Sequence, residues 1–282
     1  MSQPVRKEVR DKLYGEYVEN GLSGREIADK YGYGEQSIND WIRKLGIKRP
    51  EVGCQFITGE QYRLYKSLRL TPRQRELVIG TVLGDGSIEF AEGSRNPYLS
   101  FGVGLSTEAR EYLEWKVDMM GEFFRRRPRR EKKGWFVASI SHPEFLRLYA
   151  LLYPNGVRLI TREALDQIGP FGVAVWFQDD GGSDFSRVKD KPRENCMYDI
   201  SICRDEEEVS VAQSYFQEVY GISSVLQLSR SDRDYFSLYF PKENSRLLES
   251  LISPYIIPCM RYKIGQPSVS SETIRRAPSK EG

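Results

Sequence analysis

The chain has 282 residues, 39% of them hydrophobic, with 17 Tyr and 13 Phe, enough apolar surface for a substantial core and too much for global disorder. The formal charge is only +2, no run approaches the ~20 apolar residues of a membrane span, and the start MSQPVRKEVRDKL has no apolar secretory stretch, so an intracellular protein of the cytoplasm or nucleoid is expected. A single histidine, His142, and four cysteines without a Cys-x-x-Cys pair exclude multi-histidine metal sites, zinc ribbons and obvious Ser-His or Cys-His catalysis, so any hydrolysis should rest on carboxylates.

Residues 1–50 read as a small all-α domain. VRDKLYGEYVENG places Leu13, Tyr14, Tyr17 and Val18 at helical spacing. Ser23 with Glu26 three positions on is a capping box, Gly32 allows a turn, and Ile38, Trp41 and Ile42 form the apolar stripe of a further helix. The pattern resembles the helix-turn-helix of transposases and small regulators. In that motif the outward set Gln36, Ser37, Asn39, Asp40 and Arg43 would enter the major groove of DNA.

Residues 51–70 read as a linker with some structure of its own. Thr71-Pro72-Arg73-Gln74 then supplies an N-cap, a first-turn proline and a capping glutamine for a helix from Pro72 to about Gly84. SIEF and PYLSFGVGLS read as strands, TEAREYLEWKVDMMGEFF as an amphipathic helix capped by Thr107, WFVASIS as a strand and PEFLRLYALLYP as a helix, with His142 at its start. The order then restarts. IGPFGVAVWFQDDGG is a second apolar helix opening on Pro170, followed by strand MYDISICR, helix EEEVSVAQSYFQEVYG, strands SSVLQLSR and DYFSLYFP, and helix ENSRLLESLISPYI. Residues 71–168 and 169–275 are therefore expected to be two diverged copies of one unit, with 276–282 a tail.

The two apolar helices carry the chemistry. VIGTVLGDG ends on Asp85-Gly86 and VAVWFQDDG on Asp180-Gly181, 95 residues apart. An acid is unfavourable at a helix C-terminus, which already carries partial negative charge. Gly80 and Gly84 lie four apart on one face and would let a second helix approach closely. Side-by-side packing would bring Asp85 and Asp180 together, and such a pair suits a hard divalent cation, Mg²⁺ above all, with Mn²⁺ as a substitute. Metal-assisted phosphodiester hydrolysis is the matching reaction. The run Arg125 to Lys133, RRRPRREKK, holds seven bases against one acid, and Arg125, Arg126, Arg127 and Arg129 are candidate phosphate contacts.

VIGTVLGDG, WFQDDGG and the ending LISPYIIPCMRYKIGQPSVSSET resemble the paired motifs and tail of LAGLIDADG homing endonucleases in their single-chain, two-repeat form. The resemblance implies an α+β fold, a pseudo-two-fold duplicated αββαββα-type homing endonuclease fold, with the small all-α helix-turn-helix domain added in front. It implies that Asp85 and Asp180 bind metal, that the backbone carbonyl before each acid joins the shell, and that Gly84 and, as a secondary ligand, Asp179 stand there. It further implies a base near each half-site, Lys263 in RYKIG and, where a lysine is usual, Arg158 in YPNGVRLIT.

DNA contacts are expected from the strands and from the loops AEGSRNP and FSRVKDKPREN, through Arg95, Arg187, Lys189, Lys191 and Arg193; alternation alone leaves open which sheet face meets DNA. The expected activity is site-specific cleavage of double-stranded DNA at a long asymmetric site by a monomer. The alternatives are a non-catalytic DNA-binding regulator on the same scaffold and an intron RNA maturase. The ends MSQP and SKEG offer no terminal nucleophile or His-Asn pair, so protein splicing is not expected.

Overall fold

The computed structural model describes residues 5–48, 59–183, 196–203, 206–228 and 236–266. The N-terminal helices are α1 (Lys7–Tyr14), continued by a wider π-type turn over Gly15–Glu19, α2 (Gly24–Tyr31) and α3 (Glu35–Lys44). They enclose a core of their own, built from Val5, Val9, Leu13, Ile27, Ala28, Ile38 and Ile42. The capping box forms as expected, with Ser23 and Glu26 each satisfying the other's backbone N–H, and Gly32 at φ 73° ends α2 in the left-handed region. Tyr14 does not join the buried stripe; it is exposed, and Val9 faces inward beside the expected Leu13 and Val18.

Helix α4 (Gly59–Ser67) lies within the stretch read as a linker and joins the two parts of the molecule. Tyr62 is fully buried and its hydroxyl donates to the Val18 carbonyl at 3.3 Å, while Arg63 pairs with Glu26 at 2.9 Å. On the other side, the ring of His142 bonds the Tyr65 carbonyl at 2.9 Å, and Asn96 donates to the Tyr65 hydroxyl at 3.4 Å. His142 also accepts the N–H of Glu144 through Nδ1, which places the proton on Nε2, and burial pushes its pKa down. The lone histidine therefore sits at a helix start, as expected, and ties α4 to the first repeat.

The first repeat runs α5 (Pro72–Leu83), β1 (Gly86–Glu89), β2 (Tyr98–Val103), α6 (Thr107–Met120), β3 (Arg129–Arg130), β4 (Trp135–Ala138), α7 (Glu144–Leu152) and the short α8 (Arg162–Leu165). The second runs α9 (Pro170–Asp180), β5 (Gly181–Ser183), β6 (Tyr198–Cys203), α10 (Glu206–Tyr220), β7 (Val225–Leu228), β8 (Phe236–Phe240) and α11 (Lys242–Ile252), then a 3₁₀ turn over Pro258–Ile264. Two antiparallel sheets result, ordered β1-β2-β4-β3 and β5-β6-β8-β7, so the same topology is built twice. Two details differ from expectation. Ser106, not Thr107, caps α6, because its hydroxyl accepts the Ala109 N–H at 3.1 Å. Part of the arginine run is the edge strand β3, whose register places Arg129 opposite Phe136 and Arg130 opposite Trp135.

Each sheet turns one face to a shared core. Leu99 and Phe101 of β2 and Ile200, Leu238 and Phe240 of the second sheet are buried there, together with both motif helices. Alternation then sends Tyr98, Ser100 and Gly102, and Asp199 and Ser201, to the opposite faces.

Candidate metal centre between the repeats

Helices α5 and α9 pack side by side along nearly their whole length. A Cβ on Gly80 would strike the Gly172 carbonyl oxygen and the Val175 side chain, and one on Gly84 would strike the Asp179 side chain, so the backbones approach as only glycine permits. Glu76 of α5 crosses over to accept the N–H groups of Gly169 and Gly172 at 2.9 and 3.1 Å, capping the start of α9 with a negative charge. At the same end the Arg73 guanidinium stacks 3.2 Å from the centroid of the Phe171 ring.

At the opposite end the two acids emerge. Asp85 follows Gly84, the residue that ends α5, and Asp180 is the last residue of α9. Asp85 still reaches solvent, yet the protein crowded around it raises its pKa, and the negative charge of Asp179 adds to the rise. Asp180, half-buried, is pushed up to about 7, first by burial and then by the charge of Asp85. Asp180, raised by burial and by the charge of Asp85, loses that penalty when a cation joins the two acids.

The two bases occupy matching places. Arg158, just beyond the Pro154–Gly156 turn, donates Nη1 to the Gly84 carbonyl at 2.8 Å and to the Val82 carbonyl at 3.2 Å. Lys263, in the final 3₁₀ turn, donates Nζ to the Asp179 carbonyl at 2.7 Å. Each base thus holds the carbonyl directly before the terminal acid. Burial pushes the Lys263 pKa down, against the pull of Asp179, Asp85 and Asp180.

The Asp179 side chain is committed elsewhere. Both its oxygens bond Lys116 Nζ of α6, at 2.6 and 2.8 Å. Lys116 was not singled out from the sequence. Its signal was present, since it falls among Tyr112, Leu113, Val117 and Met120 on the buried stripe of α6, where an unpaired lysine would be costly.

The donor set fits a hard divalent cation. Among the described residues no group of three or more His, Cys, Asp or Glu side chains is gathered at metal-binding spacing. The recess instead offers two carboxylates, Asp85 and Asp180, and the carbonyls of Gly84 and Asp179, each with a second lone pair beyond its bond to a base. One or two carboxylates completed by phosphate and water is how Mg²⁺ is usually held.

The outward face of the first sheet is polar. Ser87 bonds Ser100 at 2.7 Å and also Glu89, and the Tyr98 hydroxyl donates to Glu89 at 2.9 Å. This face continues into an open cleft of about 370 Å³ lined by Tyr98, Phe136 and Arg125, Arg126, Arg127 and Arg129. Arg129 lies 5.2 Å from the centroid of the Phe136 ring, and Arg127 pairs with Asp118. Arg95 is exposed on the β1–β2 loop. Arg187, Lys189, Lys191 and Arg193 lie outside the described residues.

On α3, Gln36 and Arg43 both donate to Asp40, at 3.1 and 3.2 Å, and make one exposed row; Ser37 is half-buried. Asn39 instead stands over Gly24 at the start of α2, where a Cβ would collide with it, so it serves the helix contact.

The LAGLIDADG DNA endonuclease family matches residues 75–248, more than half of the chain, and the chain belongs to that family. Its fold is that of the homing endonuclease I-WcaI, solved bound to its DNA recognition sequence: the TM-score is 0.63 at 22% identity, over 75% of this chain and 95% of that one. Among curated proteins, the chain is 25% identical over 228 residues to Protein RecA of Mycolicibacterium chitae, covering 77% of this chain and 53% of the relative. It is 24% identical over 205 residues to the probable intron-encoded endonuclease 1 of Wickerhamomyces canadensis, covering 69% of this chain and 85% of the relative. The chain spans about half the length of the RecA proteins it matches. No helix among the described residues is long and apolar enough to cross a membrane.

Proposed function

We propose that the chain is a homing-type endonuclease that cuts both strands of double-stranded DNA at a long asymmetric site, using Mg²⁺, with Mn²⁺ able to take its place. The observation that carries the reading is the recess at the adjacent ends of α5 and α9. There Asp85 and Asp180 stand together, each acid preceded by a carbonyl that a base holds. Divalent cations in that recess would activate water and stabilise the leaving oxyanion. The chain's own groups divide the remaining work. Asp85 and Asp180 would hold the cations, assisted by the carbonyls of Gly84 and Asp179. Lys263, its pKa lowered by burial, can hold or release a proton near the second half-site. Arg158 cannot give up its proton and contributes charge alone.

The polar sheet faces lie along the DNA grooves. Arg125, Arg126, Arg127, Arg129 and Arg95 meet phosphates, and Arg187, Lys189, Lys191 and Arg193 belong to the same role. Phosphate contacts of this kind set register and affinity, while base edges set sequence. Residues 1–50 form a second DNA-binding domain of helix-turn-helix type, presenting Gln36, Asp40 and Arg43 with Ser37 beside them. The two repeats 71–168 and 169–275 complete both half-sites within one chain, so a monomer suffices.

The test is cleavage of a randomised duplex library and of host DNA with Mg²⁺, beside Asp85→Asn and Asp180→Asn. Each variant is expected to lose on the order of 10³-fold in rate. Undiminished cutting by either one rejects the assignment.

A further inference from the structure

The two motif helices do not end alike. The first closes on Gly84-Asp85 and the second on Asp179-Asp180, so three carboxylates converge where the pseudo-two-fold relation supplies two. The third is met from the other repeat. Lys116 of α6 reaches across and bonds both oxygens of Asp179, at 2.6 and 2.8 Å. The pair is sealed from solvent, with side chains 1% and 0% exposed. The Lys116 ammonium is further enclosed by the rings of Tyr112 and Phe101, 4.3 and 5.3 Å from their centroids.

The arrangement exists on one side only. Aligned on the glycines that end α6 and α10, Gly121 and Gly221, the counterpart of Lys116 is Phe216. Phe216 is buried, its ring 6.3 Å from that of Trp176 and 5.2 Å from that of Phe240. The counterpart of Asp179 is Gly84, where a Cβ would run into Asp179 itself. There is room for one extra acid at this crossing, and one buried cation answers it. A buried ion pair is a weak source of stability compared with apolar packing, so stability alone does not account for this one.

We infer that Lys116 sets the charge of the cation site by neutralising Asp179. It occupies both oxygens of Asp179 and leaves Asp85 and Asp180 as the carboxylates free to turn toward a divalent cation. The cation then faces two negative charges instead of three. This inference rests on the reading of the recess as a cation site.

The experiment is a calorimetric titration of the full chain with Mn²⁺ alone, with thermal melts of each protein to confirm folding. Lys116→Met frees a third carboxylate and should tighten Mn²⁺ binding about tenfold, and Asp179→Asn leaves an uncompensated ammonium and should weaken it about tenfold. The double variant Lys116→Met/Asp179→Asn should fall between the two. Affinities within twofold of one another across the three variants and the wild type overturn the inference. Should Lys116→Met fail to fold, Asp179→Asn and the double variant decide: weakening by Asp179→Asn that the second change relieves supports the role, and equal affinities reject it. Asp180→Asn separates the two levels of the argument. If it binds Mn²⁺ as the wild type does, the cation-site reading itself has failed. If it binds weakly while the other variants are unchanged, only the role of Lys116 falls.

Discussion

The two repeats share a topology and differ at the site they build together. Each contributes one apolar helix, one acid at its end and one base on the carbonyl before that acid. The first half sets Gly84 and Arg158 around its acid, and the second sets Asp179 and Lys263 around its own. What the halves share is backbone: close helix packing and a carbonyl turned into the recess. What separates them is side-chain chemistry laid on that common frame. A duplicated fold can therefore keep its paired acids while the bases beside them diverge.

The helix crossing is the shared part, and breaking it should have the largest effect. Gly80→Ala puts a Cβ onto the Gly172 carbonyl, so α5 and α9 must separate. Overpacking of this kind costs about 1–3 kcal/mol. Gly102→Ala is the control, because a Cβ there meets nothing within 4 Å and its cost should stay within about 0.5 kcal/mol. Denaturant melts of both variants measure the difference. Equal stabilities would mean that the helices are not held as closely as Gly80 requires.

Much of this frame was legible in the sequence. The apolar runs with proline at the first turn and Asp-Gly at the end marked α5 and α9, because a helix buried on every side reads as continuous hydrophobicity. The capping boxes at Ser23 and Thr71 gave helix starts with a definite mechanism, and both form. Long-range pairing was less legible. Lys116 and Asp179 are 63 residues apart, and only the misplaced charge on the α6 stripe hinted at a partner. Strand β3 was hidden in the arginine run of candidate phosphate contacts, since two exposed arginines carry no period and pair only because β4 passes beside them. Helix α4 was hidden in a linker because its buried residues, Tyr62 and Tyr65, face two different neighbours.

The acids should also respond to pH, at a smaller scale. Asp180 is raised from its ordinary 3.8 to about 7 in the folded chain. Between those values the folded state holds a proton that the unfolded state has lost. Stability of the cation-free protein should therefore fall as pH rises through this window. Cation binding displaces that proton, so affinity should rise by up to about tenfold per pH unit until pH passes about 7. Asp85, also raised, steepens the slope. Mn²⁺ titrations at several pH values check this, and a flat affinity from pH 5 to 7 would show that binding displaces no proton from Asp180.

The smallest expected effect addresses the difference between the halves most directly. With a base of lowered pKa on one side and a guanidinium on the other, the half served by Lys263 should cut its strand faster, and nicked circular DNA should build up before linear product. Arg158→Lys should raise cutting of the slower strand by roughly three- to tenfold, if the new amine reaches the Gly84 carbonyl as Lys263 reaches that of Asp179. Lys263→Arg should slow the faster strand by a similar factor and bring the strand ratio toward one. The exchanges preserve formal charge, so binding should change little and the effect should appear in the single-turnover rate of each strand. Both strands labelled at their 5′ ends give the ratio in one experiment. If the ratio stays put under both exchanges, the bases hold their carbonyls for structure alone, and the asymmetry of the two halves must come from Asp179 and its lysine.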